Sequence, residues 1–150
     1  MRIAAGIFLV NKEGKVLAGH PTNHSPKLFS IPKGTVEEGE SLLAAAIRET
    51  FEETNINLSS YKTIHSLPAV TYKTKKKVVN PFVLLESENE FDFNSFDIKC
   101  ESFVVTPLFS FPEMDDFKWF TFDECRIFLH SSQRESVNLV EELYNKTLKK

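Results

Sequence analysis

Glu49, Glu52 and Glu53 stand at i, i+3 and i+4 within the stretch GTVEEGESLLAAAIRETFEETNI, residues 34–56, where Arg48 is the one basic side chain. If the stretch is helical, at about 100° per residue all three carboxylates project from a single face. Like charges at these offsets repel, and an ordinary exposed helix would interleave lysines to relieve them. This face asks for a cation instead. Carboxylate oxygens are hard ligands, and a rigid helix presenting two or three of them suits Mg²⁺ or Mn²⁺, ions that keep several waters and share their shell with substrate phosphates. The bland alternative is a solvated acidic face, which is what an isolated Glu-x-x-Glu pair usually is.

The spacing carries more than the acids. Gly34, Glu40, Arg48, Glu49, Glu52, Glu53 and Ile56 occupy seven of the nine specified positions of the Nudix box. That pattern is glycine, five residues, glutamate, seven residues, Arg-Glu, an apolar residue, any residue, Glu-Glu, any residue, glycine, an apolar residue. The chain resembles a Nudix hydrolase of the MutT-like kind. Two positions depart from the pattern. Thr50 stands where an aliphatic is usual; it is β-branched and near valine in shape, and its hydroxyl, once buried, needs a partner. Asn55 replaces the closing glycine, and asparagine is the next most tolerated residue in the left-handed region where such a helix stops. Neither departure touches a carboxylate.

The resemblance implies an α/β protein with the Nudix fold, an α/β/α sandwich with a mixed β-sheet between helices. It implies metal ligation by Glu49, Glu52 and Glu53 together with the Gly34 carbonyl, with Glu40 and Arg48 as a supporting pair. Glu40 and Arg48 lie eight residues apart, roughly two helical turns, and can meet if the first turn bends inward. Ahead of them, Ile31-Pro32-Lys33-Gly34-Thr35 lets proline fix the entry and glycine release the exit. Lys33 then presents an ammonium beside the cluster, where it would meet phosphate unless it is merely solvated. A Pro-Lys-Gly at this place is similar to dinucleoside polyphosphate hydrolases and decapping enzymes. Further on, FPEMDDFKWF places Glu113 six positions before Trp119. Nudix enzymes often carry an additional acidic ligand or base in such a loop, so Glu113 is the candidate, with Asp115 and Asp116 as competitors. Phe-Pro-Glu through Trp119-Phe120, then Asp123-Glu124 and Gln133, resembles a bacterial and phage branch of the family.

These residues need a scaffold. At 150 residues, 41% apolar and 26% charged, the chain has the size and composition of one globular domain, read as residues 1–150. Residues 3–10 and 15–20 read as strands around the turn Asn11-Lys12-Glu13-Gly14, a hairpin. Ser41 is placed to cap the glutamate-rich helix, with Leu43, Ile47, Thr50 and Thr54 as its buried stripe. Residues 62–72 and 78–85 read as strands joined by a lysine-rich turn, with Pro68 limiting the pairing. Residues 103–111 and 117–122 read as extended. Asp123 is expected to open a short helix to His130, and a last helix spans about 134–148. The acidic, phenylalanine-bearing residues 86–96 read as an insertion.

The expected reaction is a Mg²⁺-dependent (or Mn²⁺-dependent) hydrolysis of the pyrophosphate bond in a nucleoside diphosphate linked to another moiety, by water attack on phosphorus. Dinucleoside polyphosphates and ADP-ribose belong to that class, and Glu53 or Glu113 would take the proton from water. The alternatives are an RNA 5′-end pyrophosphohydrolase and a catalytically inactive Nudix-like binding module, although such modules typically lose box glutamates. Lys73, Lys75, Lys76 and Lys77 would serve RNA as a basic lip, or form a solvated turn. His20, His24, His65 and His130 make no spaced metal pair, and the first two are placed to line the loop near substrate. Phe29, Tyr72 and Phe82 are the aromatic candidates for stacking a base. A net charge of −3 gives no general attraction to nucleic acid, and no apolar run is long enough for a membrane span. Cys100 and Cys125 are too few for a disulfide framework, so a cytoplasmic protein with reduced thiols is expected, as monomer or homodimer.

Overall fold

The computed structural model describes residues 2–72 and 76–149. Its centre is β1 (Arg2–Val10), whose sequence RIAAGIFLV is apolar on both faces because both are covered. Ala5, Ile7 and Leu9 point into one apolar cluster, and Phe8 and Val10 into another on the opposite side of the sheet. Asn11 then turns the chain: its Oδ1 accepts from the amides of Glu13 and Lys15, at 3.0 and 2.9 Å. β2 (Val16–Pro21) returns antiparallel to complete the expected hairpin.

β3 (Lys33–Thr35) lies antiparallel against the first half of β1, with Gly6 opposite Lys33 and Ala5 opposite Gly34. Gly6 makes that approach possible, since a Cβ there would collide with the Lys33 side chain and the Pro32 carbonyl. Next comes α1 (Leu42–Thr54), capped by Ser41, whose hydroxyl accepts from the Ala44 amide at 3.1 Å. It ends at Asn55, in the left-handed region with φ 66°. The seam that α1 buries differs from the expected stripe. Ala45, Ala46, Thr50 and Thr54 are buried, while Leu43 and Ile47 are half-buried, because the short alanines let the helix sit close on β1. Thr50 finds the partner its hydroxyl needs in the Ala46 carbonyl, at 2.8 Å.

β6 (Lys77–Leu85) runs parallel to β1 along its whole length, from Arg2 opposite Lys77 to Val10 opposite Leu85. The single strand expected over 62–72 is instead two short ones, β4 (His65–Ser66) and β5 (Val70–Tyr72), both antiparallel to β6. The break has a chemical cause: Pro68, in the gap between them, lacks the N–H a continuous ladder needs. β7 (Phe103–Val105) and β8 (Ser110–Pro112) form a separate hairpin within the segment expected to be extended. β9 (Met114–Phe120) closes the main sheet against β2. Among the described residues that sheet has the path β4-β6-β1-β2-β9, with β3 and β5 as side pairings.

α2 (Phe122–Phe128) starts earlier than expected. Thr121, not Asp123, is its cap, in a reciprocal box with Glu124. α3 (Ser131–Leu148) likewise begins ahead of Arg134, with His130 as its cap. Both pack on the face opposite α1, so the order is helix, mixed sheet, helices: an α/β/α sandwich. Residues 86–96 are no loose insertion. Phe93 is 2% exposed in the α1-side core, and the buried Glu86 carboxylate accepts from the amides of Lys12 and Phe93, at 2.8 and 2.7 Å. Among the described residues no helix is long and apolar enough to cross a membrane.

Candidate active site

The glutamates meet where β3 passes the second half of α1. Gly34 has no room for a side chain: a Cβ there would overlap the Glu49 carboxylate. One residue earlier the Lys33 amide donates to Glu53 Oε2 at 3.1 Å. Glu53 is 2% exposed, and its carboxyl is hydrogen-bonded to that of Glu49. Burial pushes the Glu53 carboxyl well above the usual carboxylate range. The Glu49 charge adds to the shift, and the Lys33 ammonium partly opposes it. Burial also raises Glu49, against hydrogen bonds from Glu53 and Arg48 that lower it.

The three acids do not share one open face, as the helical spacing alone suggests. Glu53 turns inward beneath β3, whereas the Glu52 side chain stays 41% exposed. Arg48 sits between the acids. It grips Glu40 through Nε and Nη2, at 2.8 and 3.0 Å, and reaches Glu49 through Nη1 at 2.9 Å. The same Nη1 lies 3.3 Å from Glu52, and Nη2 donates to the Thr35 carbonyl at 3.1 Å. Glu40 is thereby held down to about 2, by the Arg48 hydrogen bonds first and the Glu37 amide second. The expected Glu40–Arg48 pair is present, and it joins the loop before α1 to the carboxylates on the helix.

Glu49 and Glu53 fit a hard divalent cation. They are two adjacent, crowded carboxylates, Glu53 buried and Glu49 half-buried, with Glu52 and the Gly34 backbone beside them on the same pair of elements. Among the described residues no closed cage of three acidic, histidine or cysteine ligands is assembled. Two carboxylates leave most of an octahedral shell to water and phosphate oxygens, the coordination Mg²⁺ prefers.

A cavity of about 510 Å³ opens on this cluster. Lys33, Glu53 and Glu113 line one end, and Tyr72, Phe111, Met114 and Leu28 supply apolar walls. Glu113 is set between β8 and β9, its amide donating to the Ser102 carbonyl at 2.9 Å and its carbonyl accepting from Thr22 at 3.0 Å. Its competitors are occupied elsewhere. Asp115 pairs with His20 Nδ1 at 2.5 Å, and Asp116 accepts from the Phe117 amide at 2.9 Å. His24 lines the cavity, while His20 lies behind it. Of the aromatic candidates only Tyr72 faces the cavity: Phe29 is buried in the core, and Phe82 packs on the α1 side. Lys77 joins the cavity wall and does not belong to a merely solvated turn, while Lys73 and Lys75 lie outside the described residues. His130 and Thr22 also line it and carry no sequence signal, since only the tertiary fold brings them there.

The fold and this cluster define an α/β protein with a carboxylate-lined cavity, and comparison with known proteins specifies its family. The sequence profile described as NUDIX domain matches residues 1–140, and the chain belongs to that family. An RNA pyrophosphohydrolase of Sphingopyxis alaskensis is 41% identical over 56 residues, 37% of this chain and 35% of that protein. The match is thus confined to about a third of the curated relative. Among solved structures, the C. elegans Ap4A hydrolase binary complex superposes with a TM-score of 0.67 and 22% identity, covering 99% of this chain and 98% of that one. The E. coli dihydroneopterin triphosphate pyrophosphohydrolase gives 0.67 at 18% identity, covering 94% and 95%. Both likenesses are likenesses of fold.

Proposed function

We propose that this chain, as a single Nudix domain, is a divalent-metal-dependent pyrophosphohydrolase that cleaves the P–O–P bond of a nucleoside diphosphate linked to another group. The observation that carries the reading is Glu53, buried against the Glu49 carboxyl and lining one cavity together with Lys33 and Glu113. Glu49, Glu52 and Glu53, with the Gly34 carbonyl and Glu113, would hold Mg²⁺ or Mn²⁺. When bound, such an ion neutralises the diphosphate and lowers the pKa of a coordinated water. Arg48, anchored by Glu40, orients Glu49 and restrains Glu52. Lys33 places its ammonium where a phosphate oxygen would otherwise face only carboxylates. Glu53 or Glu113 accepts the proton of the attacking water. Tyr72 and the apolar walls take the organic part of the nucleotide. Both cysteines are free, which is compatible with a reaction in the cytoplasm.

The test is a substrate panel with Mg²⁺ or Mn²⁺, holding dinucleoside polyphosphates, ADP-ribose, NADH, FAD, nucleoside triphosphates and triphosphate-ended RNA. Glu52→Gln and Glu53→Gln serve as controls. Cleavage of at least one member is expected, with both variants strongly impaired. No cleavage of any member overturns the reading. A specific observation favours RNA 5′ ends as a second reading: Lys77 lies in the cavity wall, and the matched relative is named an RNA pyrophosphohydrolase. Binding of triphosphate-ended RNA that weakens steeply with salt would select it over small nucleotides.

A further inference from the structure

Gln133 lies in the first turn of α3, on the face of the sheet opposite α1, and is 3% exposed. A buried primary amide must place both its acceptor and its donors. Gln133 Oε1 accepts from the Ile31 amide at 2.9 Å, and Nε2 donates to Ser30 Oγ at 2.9 Å. The Ser30 hydroxyl in turn donates to the Ile31 carbonyl at 2.8 Å. Ser30 and Ile31 stand immediately before Pro32, Lys33 and Gly34. Ser30 is also paired through its backbone with Gly19, at 2.8 and 2.9 Å, and the Pro32 carbonyl accepts from the Ile7 amide at 3.2 Å.

From these contacts we infer that Gln133 is a positioning residue: its amide clamps residues 30–31 and so sets the aim of the Lys33–Gly34 segment against Glu53 and Glu49. The clamp is a loop-specific device. The strands hold residues 30–34 from one side through backbone bonds, and Gln133 is the side chain that holds Ile31 from the other. Proline at position 32 transmits the setting, because its fixed φ leaves little slack between Ile31 and Lys33. The Lys33 amide then meets Glu53 at 3.1 Å, and Gly34 meets Glu49 with no space to spare. A displacement of a few tenths of an ångström at residue 31 is therefore felt by two carboxylates on a different helix. Its bearing on metal binding rests on the function proposed above, whereas the clamp itself does not.

The experiment compares Gln133→Leu and Ser30→Ala with Val140→Ala, a buried truncation on the same helix and in the same apolar cluster as Ile31, which controls for lost packing without removing a hydrogen bond to the loop. Native-state hydrogen exchange reads the Lys33 amide with no metal present. Mn²⁺ affinity is then measured by electron paramagnetic resonance. In Gln133→Leu the Lys33 amide should exchange at least about tenfold faster than in Val140→Ala, and Mn²⁺ affinity should fall about tenfold. Combining Gln133→Leu with Ser30→Ala should add little to either effect, because both break one clamp. Gln133→Glu keeps the acceptor for Ile31 and covers the case in which leucine prevents folding; it should lie between wild type and Ser30→Ala. Equal Lys33 exchange in Gln133→Leu and Val140→Ala overturns the inference, as does a loosened Lys33 with unchanged Mn²⁺ affinity. A wild-type chain that binds no Mn²⁺ while Lys33 exchange responds as expected counts against the proposed function and supports the clamp.

Discussion

Arg48 engages four groups at once, two of them carboxylates on its own helix and two on the loop that precedes it. Lysine carries the charge but has one nitrogen, so Arg48→Lys should lower kcat/KM by about 10–100-fold while the fold survives; steady-state kinetics beside a thermal melt would show it. An unaltered rate would mean that the fork only tidies the surface. Glu53 offers a sharper contrast. It is buried against a second carboxylate, so Glu53→Gln should abolish cleavage and yet leave the metal-free protein at least as stable as wild type by urea unfolding. A large loss of stability would recast Glu53 as a structural anchor. Gly34, Glu40, Arg48, Glu49 and Glu53 were legible in the sequence because helical spacing and a tight loop tie them together within 20 residues. Gln133, Thr22 and His130 were not, since they reach the site from far along the chain. Glu113 was legible through family resemblance alone.

At the scale of elements, α1 depends on its ends. Asn55 holds a left-handed conformation, so Asn55→Ala should destabilise the protein by about 1 kcal/mol, whereas Asn55→Gly should stay close to wild type in chemical denaturation. The loop after β2 has its own fastener. His20 directs Nδ1 to Asp115 at 2.5 Å and Nε2 to the Ser25 carbonyl at 3.0 Å, two acceptors that call for the doubly protonated ring. Its pKa is accordingly raised from 6.5, chiefly by the Asp115 hydrogen bond. Because the folded state binds this proton more tightly, the stabilisation is complete below 6.5 and disappears as pH climbs through the raised folded value. The difference in urea midpoint between wild type and His20→Gln should shrink over that window, and a difference that grows with pH would refute the assignment. Turn chemistry and helix caps of the first 56 residues were readable, as Asn11, Ser41 and Asn55 show. Later caps were misplaced because Thr121 and His130 stand outside the apolar periodicity that marks a helix. The broken β4–β5 edge was half-readable: Pro68 was visible, but where the pairing resumes is set by β6 across the sheet.

For the whole molecule, the α/β/α order came from the family resemblance and agreed with the sequence of strands, helix, strands and helices; β1, apolar on both faces, shows why the sheet is covered twice. Residues 86–96 eluded the same logic, because Glu86 and Phe93 are buried without any period to announce them. The parallel register of β1 and β6 was equally hidden, and it has a kinetic consequence. Ile3 and Val78 are neighbours in space but 75 positions apart in the chain, and everything between them, α1 included, forms the crossover. Closing so long a loop precedes any reward from pairing, which slows folding. Pulse-labelled exchange during refolding should therefore find the β1–β2 hairpin and the α1 amides protected before those of β6. Equal protection times for all three would contradict this order. The charged helix is thus formed early and aimed later: Glu53 stays in water until β3 lies along β1 beside the second half of α1, and only then do Lys33 and Gly34 meet the two carboxylates.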